Sequence, residues 1–331
     1  MPNIALVTGA SGFTGTHLCR RLLQEGGAVR AFVRPSSNPH TLGSMGAEIV
    51  RGDVRDPDSV KHAVRGVKRV YHLAAVYRQE AVSRQQVWDT HVTGTQVLLE
   101  ASLKAGVERF VHCSTVGVQG AIANPPAKET APYHPGDEYQ RTKMEGERLA
   151  LKFFGETGLP GVIIRPAGIY GPGDLRFLKL FKHIQSRRFV MFGNGEVLYH
   201  FTYVQDLVTG MKLASERPEA IKQIYTIAGN EYVTLNTLVA LVADCVGAPR
   251  PRWRFPFWPL WLASVGCEIV CKPLGIEPPL YRRRADFFRK DRAFDISKAK
   301  TDLGYMPQMD LKTGLQITAD WYMQNGYLPS R

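Results

Sequence analysis

Tyr139 and Lys143 stand four residues apart in a proline-free run, Tyr139 to Phe154, rich in Glu, Lys and Leu. Positions i and i+4 share a helix face. The Lys143 ammonium can therefore lie near the Tyr139 phenol and favour its phenolate. A phenol held in this way gives or takes a proton. Upstream, the run from Arg109 to Thr115 reads as a buried strand that ends in two hydroxyls, Ser114 and Thr115. Neighbours on a strand point to opposite sides, and Thr115 is the hydroxyl expected to hold a substrate oxygen. Cys113, next to them, reads as a small core residue. At the N-terminus Gly9, Gly12 and Gly15 follow the apolar run Ile4-Ala5-Leu6-Val7 and precede a helix-compatible run, His17 to Leu23. Strand, glycine turn and helix in that order suit a dinucleotide pyrophosphate. The turn needs a residue without Cβ, the phosphates need close backbone approach, and the helix N-terminus offers free N–H groups. The spacing is G-x-x-G-x-x-G.

Behind these residues lie alternating elements. Strand-like runs fall at 4–7, 28–33, 47–50, 67–72, 108–112 and 161–165, and helix-like segments at 14–25, 57–65, 84–105 and 137–157. Such alternation predicts an α/β fold, a doubly wound parallel sheet with helices on both faces. Arg165-Pro166 and Gly171-Pro172-Gly173 break the pattern. Beyond them, helices are expected at 174–186, 204–216, 234–246, 257–271 and 310–325, with short strands around 190–192, 198–201 and 224–227. A chain of 331 residues can fill one domain or two close-packed lobes.

The net charge is +12, yet no nucleic-acid motif is present, and nucleic acid is not an expected partner. Residues 281–300 hold eight Lys/Arg against three Asp/Glu. That block follows the most hydrophobic stretch, Phe255 to Gly266. A basic cluster beside an aromatic segment points to an anionic membrane surface or a lipid-like substrate; a helix packed in the substrate lobe is the alternative. A span is not expected, because Pro259 and Glu268 interrupt 255–271, Lys272 and Pro273 end it, and spanning needs roughly 20 apolar residues. Five cysteines without metal-ligand spacing, and no leader pattern before the first strand, predict reduced thiols, no metal and a cytoplasmic setting, with a membrane-peripheral one as the alternative. The sequence leaves the oligomeric state open, with a homodimer among the alternatives.

Several motifs together resemble the extended short-chain dehydrogenase/reductase superfamily, of the NAD-dependent epimerase/dehydratase type. They are Thr8 to Gly15, Gly52-Asp53-Val54-Arg55-Asp56, His72-Leu73-Ala74-Ala75, Ser114-Thr115, Tyr139 to Lys143 and Arg165 to Gly173. The resemblance implies a Rossmann domain over 1–170 and 204–228 and a smaller, discontinuous substrate lobe over 171–203 and 229–331. It implies an enzyme that moves a hydride between nicotinamide and a carbinol or ketone carbon. Tyr139 would exchange the hydroxyl proton, Lys143 would support the phenolate and bind the ribose, and Thr115 would orient the reacting oxygen. Cofactor contacts would come from Gly9, Gly12, Phe13, Gly15, Leu73, Ala74, Ala75, Tyr139, Lys143 and Pro166, with Asp53 at the adenine amino edge and Val54 stacking nearby.

The second strand ends Arg34-Pro35-Ser36-Ser37, with no acid between Glu25 and Glu48. An acid there would accept from both ribose hydroxyls of NAD; a guanidinium and hydroxyls suit a 2′-phosphate. NADP is the expected cofactor, with NAD and a plain loop arginine as the alternative. Where many relatives carry asparagine, this chain has His91, either a polar substitute or relay, or a buried hydrogen-bonded residue. Tyr199 stands where nucleotide-sugar enzymes commonly carry a phosphate-binding arginine. With Phe201-Thr202-Tyr203-Val204, the aromatic 255–271 segment and the Phe287 to Pro307 stretch, this favours the branch of 3β-hydroxysteroid dehydrogenases, sterol-4α-carboxylate 3-dehydrogenases and dihydroflavonol reductases. A nucleotide-sugar epimerase or dehydratase, and a non-catalytic NADP-binding sensor, remain the alternatives.

Overall fold

Ile4 to Thr8 form a strand that is buried from Ala5 onward, as a central parallel strand covered on both faces must be. The computed structural model describes residues 3–77, 82–271, 274, 278 and 280–330. Its strands are β1 (Ile4–Thr8), β2 (Ala28–Val33), β3 (Glu48–Arg51), β4 (Val67–His72), β5 (Arg109–Cys113), β6 (Gly161–Pro166), β7 (Gly168–Tyr170), β8 (Met191–Phe192), β9 (Leu198–Tyr203), β10 (Ile224–Ile227), β11 (Tyr232–Thr234) and β12 (Arg254–Phe255). The helices are α1 (Phe13–Gln24), α2 (His40–Ser44), α3 (Pro57–Ala63), α4 (Arg84–Trp88), α5 (Gly94–Lys104), α6 (Glu138–Thr157), α7 (Leu178–Gln185), α8 (Val204–Glu216), α9 (Leu235–Val246), α10 (Phe257–Cys271), α11 (Arg282–Ala285), α12 (Ser297–Leu303) and α13 (Leu311–Gln324).

Seven strands form one sheet in the order β3-β2-β1-β4-β5-β6-β10, and every neighbouring pair is parallel. The fold is an α/β doubly wound, Rossmann-type sheet. The strand order reverses between β1 and β4, and in such sheets the ligand crevice opens at the carboxyl ends of the strands there. The site residues lie at those ends: Gly9 follows β1, Leu73 follows β4 and Thr115 follows β5.

A second core contains Tyr170, Phe181, Tyr199, Phe201, Leu238, Leu315 and Tyr322. It packs α7, α9 and α13 around a three-stranded sheet, β11-β9-β7. Phe294, Ile296, Ala299, Leu303 and Tyr305 belong instead to the core beneath the main sheet. The α12 segment is therefore a patch on the larger body within the C-terminal third.

The periodicity predicts one helix over 84–105. The structure divides it into α4, a π-helical turn Asp89–Thr93, and α5. Two features explain the wide turn. Thr95 Oγ1 donates to the His91 carbonyl at 2.7 Å. The same carbonyl faces α6 so closely that a Cβ at Gly146 would stand 2.3 Å from it. Neither interaction leaves a trace in hydrophobic spacing. At α10 the expected bounds match, but its two candidate tryptophans part company. Trp258 is 65% exposed, whereas the Arg289 guanidinium lies over the Trp261 ring at 4.7 Å.

Candidate active site

The glycine turn is set by close packing. Gly9 has φ +67°, and a Cβ there would meet the Ala74 nitrogen at 2.9 Å. A Cβ at Gly15 would stand 2.2 Å from the Gly9 carbonyl oxygen. Helix α1 begins at Gly12 with no side chain capping its first turn, whereas Asp137 caps α6 and Thr234 caps α9. The first amides of α1 are thus left for an anion, the arrangement that receives a pyrophosphate. Beside the turn lies a cavity of about 330 Å³. Gly9, Gly12, Arg34, Asp53, Val54, Leu73, Ala74 and Ala75 line it, and Phe13, Gly15, Tyr139, Lys143 and Pro166 lie outside that lining. The uncapped helix, the Cβ-free cradle and this cavity fit a dinucleotide.

Two histidines tie the crevice together. Thr8 Oγ1 accepts from the Ala74 N–H at 3.2 Å and bonds His72 Nδ1 at 2.8 Å; His72 Nε2 meets Thr95 Oγ1 at 2.9 Å. Because Thr95 gives its hydrogen to the His91 carbonyl, the network assigns the His72 hydrogen to Nε2. Burial pushes the His72 pKa down to about 3, so the ring is neutral. His91 Nε2 accepts from the Val76 N–H at 3.0 Å and Nδ1 bonds Thr142 Oγ1 at 2.8 Å. One nitrogen faces a backbone amide, which cannot pass on a proton. His91 thus bridges the 74–76 loop and α6 as a buried, hydrogen-bonded residue.

Helix α6 carries Tyr139 and Lys143, and Lys143 reaches the end of β5, next to Ser114 and Thr115. Lys143 is buried, and among the described residues it makes one hydrogen bond, Nζ to the Cys113 carbonyl at 2.6 Å. Burial lowers its pKa, opposed by the nearby Cys113 and Glu147. Tyr139, one turn earlier, has its ring edge-on to His91 at 5.5 Å and to Tyr77 at 5.1 Å. Thr115 Oγ1 accepts from the Gly117 N–H at 3.0 Å and the residue is half-buried. Ser114 is turned into the core, where its hydroxyl bonds the Glu147 carboxylate. Glu147 is held by Arg165 at 2.5 Å and by the Tyr133 hydroxyl at 2.7 Å. This buried group anchors β5 and β6 to α6 below the lysine.

Other residues were not singled out from the sequence. Arg55 grips Asp53 with Nε at 2.9 Å and Nη2 at 2.6 Å; this contact holds the Asp53 carboxyl below its ordinary range. The carboxylate expected at the adenine edge is thus already clamped. The Arg176 guanidinium lies over both Phe13 at 5.5 Å and Tyr77 at 5.6 Å, closing the glycine turn against the Tyr139 side. Arg292 donates to the Tyr199 hydroxyl at 2.9 Å and stacks over its ring. A signal existed for Arg55, which follows Gly52-Asp53-Val54 directly, and Arg176 stands three residues past Gly171-Pro172-Gly173. Tyr77 and Arg292 meet their neighbours only through the fold.

Known proteins share this architecture. Sterol demethylase protein B of Methylococcus capsulatus is 29% identical over 98% of this chain and 99% of its own length. The 3β-hydroxysteroid dehydrogenase/Δ5→4-isomerase of Mycobacterium tuberculosis is 32% identical, covering 96% and 90%. Among solved structures, gox2253 superposes with a TM-score of 0.86 at 30% identity, over 98% of this chain and 99% of that one. The UDP-glucose 4-epimerase of Thermotoga maritima gives 0.77 at 25% identity, over 97% and 99%. The model of the NAD dependent epimerase/dehydratase family matches residues 5–228. The crevice, its glycine cradle and these likenesses agree: the chain is an enzyme of the NAD-dependent epimerase/dehydratase family, which acts on CH–OH groups.

Proposed function

We propose that this enzyme is an NADP(H)-dependent oxidoreductase that interconverts an alcohol and a ketone on a bulky apolar substrate, of hydroxysteroid, sterol or dihydroflavonol type. One observation carries the reading: a buried ammonium, Lys143, held by a single backbone carbonyl at the end of β5, one helical turn from Tyr139. Such a charge is costly unless it serves a partner that arrives with the ligand. Nicotinamide, when bound, supplies the hydride donor or acceptor. Tyr139 exchanges the hydroxyl proton, Lys143 stabilises the phenolate, and Thr115 holds the reacting oxygen in place. Gly9, Gly12, Gly15 and the open start of α1 hold the pyrophosphate, and Arg34 with Ser11 and Ser37 faces the 2′-phosphate. The aromatic group of Phe192, 5.4 Å from Phe288 and 6.2 Å from Phe255 between ring centroids, is proposed as an apolar wall for the substrate. The relatives named for sterols and hydroxysteroids support the same class.

A second reading has its own observation. Tyr199 replaces an arginine, but Arg292 brings a guanidinium to the Tyr199 hydroxyl, and a guanidinium suits a diphosphate. A nucleotide sugar is thus the competing substrate. The test is NADP(H)-coupled turnover of a panel of 3-hydroxysteroids, flavanonols and nucleotide sugars. Turnover of a steroid or flavanonol is expected, falling at least about 10²-fold in Tyr139→Phe while NADP(H) binding changes little. Activity confined to nucleotide sugars overturns the apolar assignment. Near-wild-type turnover in the variant removes Tyr139 from the chemistry, and NADP(H) binding without turnover of any of the three classes favours a sensor.

A further inference from the structure

A helix on the surface of a soluble protein shows a polar face outward. Helix α10 does the reverse. Trp258, Leu262, Ala263, Gly266, Ile269 and Val270 all face out, with Trp258, Leu262, Ile269 and Val270 58 to 67% exposed. Their spacing follows the helical period, so they form one continuous stripe. The single charged residue of the helix, Glu268, is turned inward, where it accepts from the Arg282 backbone N–H at 2.8 Å and from its guanidinium at 3.1 Å. The inner side is also closed: Ser264 is buried, and Arg289 covers Phe257 and Trp261. Just before the helix, Trp253 is 70% exposed.

The sequence flanking the stripe is rich in cations. Residues 250–292 contain ten Lys/Arg against four Asp/Glu. Arg252 is exposed and has no acidic partner among the described residues, and Arg254 bonds only uncharged groups, the Asn194 carbonyl and the Asn236 side chain. With 15 residues, α10 is about 22 Å long, short of a hydrocarbon core of about 30 Å. No helix among the described residues is long and apolar enough to cross a membrane.

We propose that α10 docks the enzyme onto an anionic membrane surface, lying along the interface with its outward stripe among the acyl chains and Arg252 and Arg254 at the headgroups. Indole rings favour that depth, and an apolar face ringed by cations binds through buried area plus attraction to anionic lipid. A second copy of this chain is the less fitting occupant, because it would bring the same cationic rim against this one. The proposal is independent of the substrate class.

Flotation of the full chain with vesicles of phosphatidylcholine, with and without phosphatidylglycerol, tests it. The wild type is expected to float with the mixed vesicles, less with phosphatidylcholine alone, and less again at high salt. Leu262→Glu with Ile269→Glu puts charge on the outward face and is expected to lower partitioning at least about tenfold, with circular dichroism, melting temperature and NADP(H) binding unchanged. Arg252→Glu with Arg254→Glu is expected to remove the preference for phosphatidylglycerol. If the double glutamate variant does not fold, Ile269→Ser gives the same comparison with a smaller loss. A wild type that stays with neither vesicle overturns the proposal, as does a folded variant that floats as before. A dimer in sedimentation that becomes monomeric in the variant, without vesicle binding by the wild type, assigns the face to a second copy and overturns it too.

Discussion

The proposed preference for NADP turns on a single guanidinium at the edge of the crevice. Arg34 is exposed at the end of β2, and its loop is fixed by Arg51, which donates to the Pro35 and Ser37 carbonyls at 2.8 and 3.2 Å. Ser11 donates to Ser37 across the cavity edge at 3.3 Å. On the proposed NADP reading, Arg34→Asp puts a repelling acid where the 2′-phosphate would lie, and that acid can accept from a 2′-hydroxyl. The ratio of kcat/KM for NADP over NAD is expected to fall about tenfold or more, equivalent to about 1.4 kcal/mol. A wild type that already prefers NAD reduces Arg34 to a loop charge. At this scale the local geometry was legible: the glycine triplet forms the expected tight turn, and Tyr139 and Lys143 lie one turn apart on α6. The Glu147–Arg165 pair was not. The two are 18 residues apart, and nothing in either segment says that they meet in a fully buried pair with Ser114 and Tyr133. Ser114 and Thr115 are adjacent hydroxyls, and strand alternation alone separates the one on Glu147 from the one at the strand end.

Among the elements, the π-helical turn is the joint on which the site hangs. It aims His91 at Val76 and Thr142 together, and its carbonyl fills the hollow left by Gly146. Gly146→Ala forces α6 away from this turn, since the contact is with backbone and cannot be relieved by a side-chain rotation. The melting temperature is expected to fall by several degrees. Turnover should fall more than NADP(H) affinity, because Tyr139 and Lys143 move with α6 while the glycine cradle on α1 does not. Equal loss of both would place the defect in global folding instead. Most strands were readable from apolar runs, since buried parallel strands are continuous in hydrophobicity. The π turn was not, because an extra residue in a helix changes no periodicity that a window of this length resolves.

For the whole molecule, proton linkage sets the acid limit. His72, His91, His112 and His200 are buried, and burial lowers each pKa from its ordinary value. The unfolded chain therefore binds more protons than the native one below pH about 6.5. The stability these neutral rings contribute is fully present above that pH and is lost as pH falls toward their native values. Each buried ring adds up to about 1.4 kcal/mol per pH unit to that loss. Denaturant midpoints are expected to drop steadily from pH about 7 to about 5, a window that lies above ordinary carboxylate titration. A flat profile across that window contradicts the neutral assignment, and His91→Asn is expected to reduce the slope. The lobe organisation lay outside what local patterns reveal. Phe294 to Tyr305 join the core under the main sheet for reasons of surface fit that no residue spacing records.

The division of the two cores has a mechanical consequence. Among the described residues the chain crosses between the main-sheet cores and the second core five times: near Tyr170, Val204, Ala228, Phe294 and Leu311. The seam is also pinned by Asp206, which accepts from the Gln308 and Met309 amides at 3.0 and 3.1 Å, and by the Tyr322 hydroxyl, which donates to the Asp174 carbonyl at 2.6 Å. A clamshell opening would have to bend five backbone segments at once and break these contacts. Ligands must then be admitted by movement of loops over a stiff body, not by a hinge between halves. The same weave forbids cutting. A fragment ending at residue 170 would lack β10, leave β6 as a bare sheet edge open to pairing with other chains, and strip the cover that α8 and α12 provide. The Rossmann half of this enzyme is a region of the molecule, not a module that can be lifted out of it.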